Sequence, residues 1–339
     1  MDRKLASIQL IKGLTPISGA DAILCAKVLG WECVVKKTEF NAGDKCVYFE
    51  IDSVLPIAQW NDHLRKEEGK KLRVKTIRLR GQLSQGLALP LSILPVGEYE
   101  VGMDVTALVG VEKYEPVVPA HLAGTVKGNF PAFLHKTDEI RLQSEPNVLQ
   151  EAIDKKLTLV GTLKMDGTSF TAYRRDNDFG VCSRNLDLKE TENNAHWRMA
   201  RKLKLEEILR SEPRNLCIQG EMVGPGIQAN RLGLNEVDLY IFNLFDIDTG
   251  KYLNIQELRD FCIKHGLKFV HTVAGYYFDL YPTATVEDLL KNANDLDYDN
   301  GTPAEGIVWR PFEETYSEVL KGRMSFKTIS NRFLEKYKE

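Results

Sequence analysis

A lysine that ends an apolar run and precedes an Asp-Gly turn is the sharpest chemical signal in this chain. Leu157 to Phe170 passes through Lys164, Met165, Asp166, Gly167, Thr168 and Ser169. An amine attacks an electrophile only when neutral, so a nucleophilic Lys164 is expected to have a pKa drawn below its usual ~10.4 by nearby cations or by desolvation. Asp166, two residues on, is placed to orient solvent or a metal. By itself K-x-D-G is an ordinary lysine before a common turn dipeptide. Further polar groups stand at the ends of later apolar runs, however. Ser183, Arg184 and Asn185 form one such group. Glu221 closes the run that starts at Leu216 to Ile218, a costly place for a carboxylate, and Gly224, Pro225, Gly226, Ile227 and Gln228 follow it. Phe245 and Asp246 lie in the apolar run Leu239 to Ile247, Glu305 to Arg310 reads E-G-I-V-W-R, and Lys327 follows Ser325 and Phe326.

In this order the stretches resemble the six motifs of the covalent nucleotidyltransferases, the family of ATP- and NAD-dependent DNA ligases, RNA ligases and GTP-dependent mRNA capping enzymes. Lys164 matches the family's nucleophile in K-x-D-G. Arg184 matches the arginine that contacts the ribose or donor phosphate. Glu221 with the G-P-G-x-Q loop matches the third motif as RNA ligases write it. Phe245 matches the phenylalanine that stacks on the purine, with Phe242 expected on the opposite strand face, in the core. Glu305 matches the glutamate that helps bind the metal and orient the lysine, and Arg310 is a candidate for holding a phosphate. Lys327 matches the second of the two lysines usual in the last motif, where Ser325 stands in place of the first; Lys321 or Arg323 could reach the same phosphates. Together the resemblance implies a nucleotide site of Lys164, Gly167, Arg184, Glu221, Phe245, Glu305, Arg310 and Lys327, with Lys164, Arg184 and Lys327 taking part in catalysis.

These residues need elements to hold them. From Leu5 to about Val111, short alternating or apolar runs (Ala22 to Val28, Trp31 to Lys36, Lys45 to Ile51, Val74 to Arg80, Leu87 to Leu91) are broken by turn residues such as Asn41 to Asp44 and Gly81, which predicts an OB-like β-barrel over residues 1–114. Residues 115–131, rich in Pro and Gly and without periodicity, read as a linker. Residues 132–339 mix strand and helix patterns, with a charged helix expected near Glu192 to Arg210 and amphipathic ones near Ile255 to His265 and Val286 to Asn294. The fold class is α+β: a β domain followed by an α+β nucleotidyltransferase (adenylation) domain. Only Asn331 to Glu339 follow the last motif, whereas most DNA ligases and capping enzymes carry their OB domain there. The order here is similar to that of RNA ligases with the OB domain first, and Lys136 to Gln143 resembles that group's approach to the catalytic domain.

With 45 Lys and Arg against 48 Asp and Glu, the net charge of −3 supplies no overall attraction to a polyanion, so nucleic-acid binding must rest on local clusters. The most basic tract is Arg65, Lys66, Lys70, Lys71, Arg73, Lys75, Arg78 and Arg80, with Glu67 and Glu68 among them. Strand alternation would put Arg73 with Lys75, and Arg78 with Arg80, on shared faces toward phosphates. Cys25, Cys33, Cys46, Cys182, Cys217 and Cys262 form no C-x-x-C pair, which argues against a zinc site or disulfide framework and for an intracellular, reducing compartment in cytoplasm or nucleus. No run approaches the ~18 apolar residues of a membrane span.

The resemblance implies ATP as cofactor, with AMP carried on Lys164, and Mg²⁺, for which Mn²⁺ can stand in. Asp166, Glu221 and Glu305 are the candidate metal shell, acting through water because Mg²⁺ sheds water reluctantly. The activity the resemblance implies is that of an ATP-dependent RNA ligase joining 3′-hydroxyl and 5′-phosphate ends through lysyl-AMP and AppRNA intermediates, with RNA or a nicked duplex as partner and an RNA strand expected on the 3′-hydroxyl side. No membrane partner is expected, no motif names a protein partner, and a monomer is expected. The competing readings are a DNA ligase, a GTP-dependent capping enzyme, and a nucleic-acid-binding OB protein with a dead transferase domain.

Overall fold

The computed structural model describes residues 4–65, 69–114, 125–278 and 283–337. Lys66, Glu67, Glu68 and the Glu115 to Gly124 part of the expected linker lie outside these. The chain divides into two compact units: Met1–Val117 with Ile140–Asn147 and Leu334–Glu339, and Val118–Glu139 with Val148–Phe333. The K-T-D-E-I-R-L-Q run is therefore divided between the two units after Glu139.

In the first unit, β1 (Ala6–Ile17), β2 (Ala20–Val28), β3 (Trp31–Lys36), β4 (Lys45–Phe49) and β5 (Leu87–Pro90) form an antiparallel sheet of order β3-β2-β1-β4-β5. β1 is long enough to pair β2 along one half and β4 along the other, with a register shift between Ile11 and Gly13 that lets it bend from one partner to the next. Ile8, Ile11, Trp31, Tyr48, Phe49 and Leu55 are wholly buried inside the curve. This is the OB-like arrangement expected. The alternating basic face is not. The strand at Leu72–Arg73 is only two residues long, Ile77–Leu79 pairs with Gln82–Ser84 in a tight hairpin, and Arg80 turns into the left-handed region at φ 52°. Lys75 lies between strands, so period-two alternation has no strand to act on.

Among the described residues, the second unit contains two larger sheets and a short two-stranded pairing of Tyr316–Ser317 with Gly322–Arg323; the two larger ones position the site. β6 (Val126–Asn129), β7 (Thr158–Lys164), β8 (Thr168–Arg175), β9 (Asp178–Cys182), β10 (Leu186–Leu188), β11 (Leu216–Val223), β12 (Asp238–Asp246), β13 (Lys251–Tyr252), β14 (Thr272–Tyr277), β15 (Gly306–Pro311) and β16 (Phe326–Ile329) supply them. One sheet runs β6-β10-β9-β8-β11-β12-β13; within this unit the other runs β16-β15-β7-β14. β6 lies in what the sequence suggests is linker, an edge strand too polar to show alternation. Among the described residues, α1 (Asn147–Asp154), α2 (Ala195–Lys202), α3 (Leu205–Ser211), α4 (Ile255–His265) and α5 (Val286–Asn294) accompany the sheets, and a sixth helix, Asn331–Tyr337, runs on into the first unit. The single helix expected near 192–210 is two, broken where Lys204 adopts φ 54°. α4 and α5 begin at capping boxes, Asn254 with Glu257 and Thr285 with Asp288. α2, α3 and α4 cover one face of the larger sheet over Phe170, Leu205, Leu216, Ile218, Ile241 and Leu244. No helix among the described residues is long and apolar enough to cross a membrane. All six cysteines are buried and unpaired.

On α1, Glu151 pins a distant turn. Its largely buried carboxylate accepts from Ser317 Oγ at 2.5 Å, Glu318 N–H at 2.8 Å and Lys155 Nζ at 2.7 Å. Burial raises its pKa, but the Lys155 and Ser317 bonds and the backbone donors outweigh that and hold it at about 2, against an ordinary 4.5. A depressed acid stabilises the fold above its unfolded pKa and loses that contribution as pH falls toward its folded value. Glu151→Gln should therefore lower stability at pH 7 by on the order of 3 kcal/mol. In urea titrations, the gap between the variant and wild type should narrow as pH falls from 7 to 3; a gap that stays constant would rule this linkage out.

Candidate active site

Three strands of the smaller sheet share one face. Directly paired residues of antiparallel strands point the same way, and the register pairs Lys164 with Gly306, Thr162 with Val308, Val160 with Arg310, and Val308 with Lys327. Lys164, Lys327 and Arg310 therefore rise from one surface. Glu305 stands immediately before β15, and its carboxylate meets the amine of Lys164 at 2.5 Å, both side chains being mostly buried.

The opposing acids come from the larger sheet. Glu221 lies on β11 and is paired across from Ser169 on β8, so the K-x-D-G turn is brought against it. Gly167 is required there: a Cβ would meet Met222 O at 2.4 Å and Glu221 Cγ at 2.9 Å. Gly306 is equally constrained, with φ 154° and a Cβ that would fall 2.1 Å from Thr328 O. The glycines of both motifs thus permit backbone approach beside the reactive side chains.

Electrostatics here differ from the expectation of a neutral amine. Burial alone would depress the Lys164 ammonium, but Glu305 and Glu221 outweigh it and push its pKa above the usual value. Desolvation acts in the expected direction, but the charged neighbours of the amine are carboxylates instead of cations. Glu221 is displaced the other way, up to about 8. Burial is the main cause, opposed by Lys164 and reinforced by Glu305 and Asp166. Asp166 is 8% exposed and paired at 2.8 Å with Arg231, whose guanidinium lies over Phe333.

A carboxylate burdened as Glu221 is, with Glu305 and Asp166 close by, belongs to a donor set that a divalent cation relieves. Among the described residues, no group of three His, Cys, Asp or Glu side chains is placed to hold a metal ion. Mg²⁺ sheds water reluctantly, so Asp166, Glu221 and Glu305 fit an ion held through its waters.

Arg184 and Lys327 meet through Asp138, which lies 3.2 Å from the guanidinium and 3.7 Å from the amine. Arg310 is inside the protein, bound to Glu139 at 2.9 Å and Ser325 Oγ at 3.1 Å. Burial pushes Glu139 up, yet Arg310 and Lys327 prevail and hold it below the usual carboxylate range. Ser325, which replaces a lysine in the last motif, thus helps hold Arg310. Arg323 is tied to Glu314 and to Asn243 Oδ1.

Phe245 is 2% exposed, with its ring edge-on to His135 and tilted against Tyr252. Phe242 is not in the core on the far face. The ladder slips between Gln219 and Gly220, leaving Phe242 as an extra residue of β12. It remains half-buried, with Arg310 5.9 Å from its ring centroid. A base would meet Phe242 more readily than Phe245.

Other residues here carry no sequence signal of their own. Tyr298, in the loop before β15, bonds through its hydroxyl to Lys164 O, Asp166 N–H and Glu305 N–H. Burial, then Glu305 and Asp166, raise its pKa, so the phenol stays protonated. Arg231 joins the site from a position where only its partner would have revealed it, and Asp138, in the Lys136 to Gln143 run, has no site role of its own in the sequence.

In the first unit, Arg73 pairs with Asp52 at 2.6 Å and lies over Tyr114, and Arg78 bonds to Glu335 at 2.5 Å and to Gly81 O. Lys75 and Arg80 are exposed. The four form no common row.

A lysine paired with a buried glutamate, two further acids and a converging set of cations define a group-transfer site, carried here on an α+β unit that follows an OB-like sheet. Known proteins match both parts. A family model described as an OB-fold domain matches residues 5–91, and the RNA ligase family model matches residues 157–329. The RNA ligase of Naegleria gruberi solved with PPi superposes with a TM-score of 0.88 at 38% identity, covering 99% of this chain and 99% of that one. A lysine-to-methionine variant of that enzyme solved with AMP and Mn gives the same TM-score, identity and coverage. A glutamate-to-alanine variant solved with ATP and Mn has TM-score 0.88 and 38% identity, covering 99% of this chain and 100% of that chain. Comparison with the curated proteins returns no match. The chain belongs to the RNA ligase family.

Proposed function

We propose that the protein is an ATP-dependent RNA ligase that joins 3′-hydroxyl and 5′-phosphate ends through an adenylate on Lys164. The observation that carries this is the Lys164 amine, buried beside Glu305 at 2.5 Å, with Glu221 and Asp166 close enough to perturb it. In the first step Lys164 Nζ, having lost its proton, bonds to the α-phosphorus of ATP as the bond to pyrophosphate breaks. The 5′-phosphate oxygen of the donor strand then takes the adenylyl group and the P–N bond breaks, restoring the amine. The 3′-hydroxyl finally attacks the donor phosphorus and AMP leaves.

Each group has work in this scheme. Glu305 orients the amine toward phosphorus. Lys327 and Arg184 are placed to exchange Asp138 for phosphate oxygens and so offset negative charge that develops in transfer. Glu139 and Ser325 hold Arg310 ready for a phosphate. Phe242 is the half-buried aromatic surface on this face for the adenine, with Phe245 packed in the interior. Asp166, Glu221 and Glu305 would hold Mg²⁺ through its waters, and the ion would supply charge neutralisation at the transferring phosphate. Lys75 and Arg80 are the most accessible groups for polynucleotide backbone on the OB-like unit, with Arg73 and Arg78 reaching it by giving up carboxylate partners. Six buried, unpaired thiols support a reducing compartment. The protein acts as a monomer in this reading.

The strand preference is tested with nicked duplexes that differ only at the 3′-hydroxyl side. RNA there should seal at least about tenfold faster than DNA, since a 2′-hydroxyl is what distinguishes the two strands. Equal rates would make the enzyme a general polynucleotide ligase. Faster sealing of DNA would overturn the RNA assignment.

A further inference from the structure

We propose that Tyr298 is a positioning residue for nucleotidyl transfer, its single hydroxyl fixing Lys164, Asp166 and Glu305 relative to one another. The inference rests on the reading that Lys164 receives the adenylyl group. It adds a residue outside the six sequence motifs.

The phenol donates to Lys164 O at 3.0 Å and accepts from Asp166 N–H and Glu305 N–H, each at 3.1 Å. A hydroxyl has one proton and two lone pairs, and all three are used. The atoms it joins come from the end of β7, the K-x-D-G turn and the residue before β15. The β7 to β15 ladder ends at the Lys164 and Gly306 pair. Tyr298 therefore continues that connection one step past the last strand pair, where sheet bonding no longer sets the spacing.

The loop that presents the ring is itself fixed. Tyr298 N–H bonds to Thr302 O and Gly301 N–H to Tyr298 O, both at 2.8 Å, while Ala304 N–H bonds to Leu296 O at 3.0 Å. Asp297 and Pro303 form a bridge across it. The ring is 5% exposed, so water has little access to the three backbone groups it satisfies. A tyrosine serving only as packing needs none of these bonds; here every bond of the hydroxyl goes to a residue of the reactive cluster.

Tyr298→Phe keeps the ring and removes the oxygen. Displacement of a reacting group by about 1 Å can cost about a hundredfold in rate, so the variant should form the covalent AMP label about 10- to 100-fold more slowly in single-turnover measurements. The label amplitude, which counts folded sites, and the ATP concentration giving half-maximal rate should stay within twofold of wild type. Tyr276→Phe removes a hydroxyl bonded to Asn292 at 2.7 Å in the same unit and should keep the wild-type rate. A wild-type rate in Tyr298→Phe overturns the proposal. So does an amplitude that falls while the rate of the labelled fraction is unchanged, which would make Tyr298 purely structural. Absence of any label in the wild-type protein would remove the underlying reading first, and this proposal with it.

Discussion

Lys164→Ala should abolish covalent AMP labelling with ATP and Mg²⁺, a loss on the order of a thousandfold or more, because it removes the nucleophile itself. Lys164 leaves β7 where Glu305 and the K-x-D-G turn converge on it, and the cations nearest in the fold have other partners. Lys327 contacts Asp138, Arg184 contacts the same carboxylate, and Arg231 is bound to Asp166. The folded state should survive, since alanine loses an ion pair but clashes with nothing. Joining of a strand supplied already adenylated should persist in part, because that last step needs no lysyl adenylate. If the alanine protein labelled as strongly as wild type, another nucleophile would have to be sought.

Glu305→Ala is expected to slow adenylation by about a hundred- to a thousandfold. Two effects oppose each other in this variant. Losing the carboxylate removes the partner that keeps Lys164 charged, and burial would then favour the neutral, nucleophilic amine. The same loss removes the group that aims the amine and one of three acids available to Mg²⁺. Orientation and charge neutralisation contribute more to rate than the protonation change gives back, so the net effect is loss. Glu305→Gln separates the terms by keeping a hydrogen bond without the charge. It should fall between alanine and wild type in single-turnover labelling. A glutamine variant at or above the wild-type rate would show that Glu305 only restrains the lysine.

Much of this site is written locally in the chain. The motif order names Lys164, Arg184, Glu221, Glu305 and Lys327, and the fold brings all five into one unit with Lys164 and Glu305 in contact. Helices α4 and α5 are legible because their caps, Asn254 with Glu257 and Thr285 with Asp288, lie within four residues. What escaped the sequence depends on distance or on a single irregularity. Tyr298 reaches Asp166 across 132 positions and Arg231 reaches it across 65, separations at which no periodicity reports a partner. Strict alternation misplaces Phe242 because one extra residue in β12 resets the register. The basic tract near Arg73 to Arg80 reads as strand, but its strands are two or three residues long, too short for alternation to build a face. The charge state of Lys164 is hidden from the sequence for a related reason: it is set by Glu221 and Glu305, far along the chain.

Mass analysis of the protein after incubation with ATP and Mg²⁺ gives the most direct reading. One adenylyl group per chain should appear, carried by the peptide that contains Lys164, released by pyrophosphate and transferred to a 5′-phosphorylated RNA strand. An adenylyl group on a peptide without Lys164, or no adduct at all in folded protein, would contradict the account.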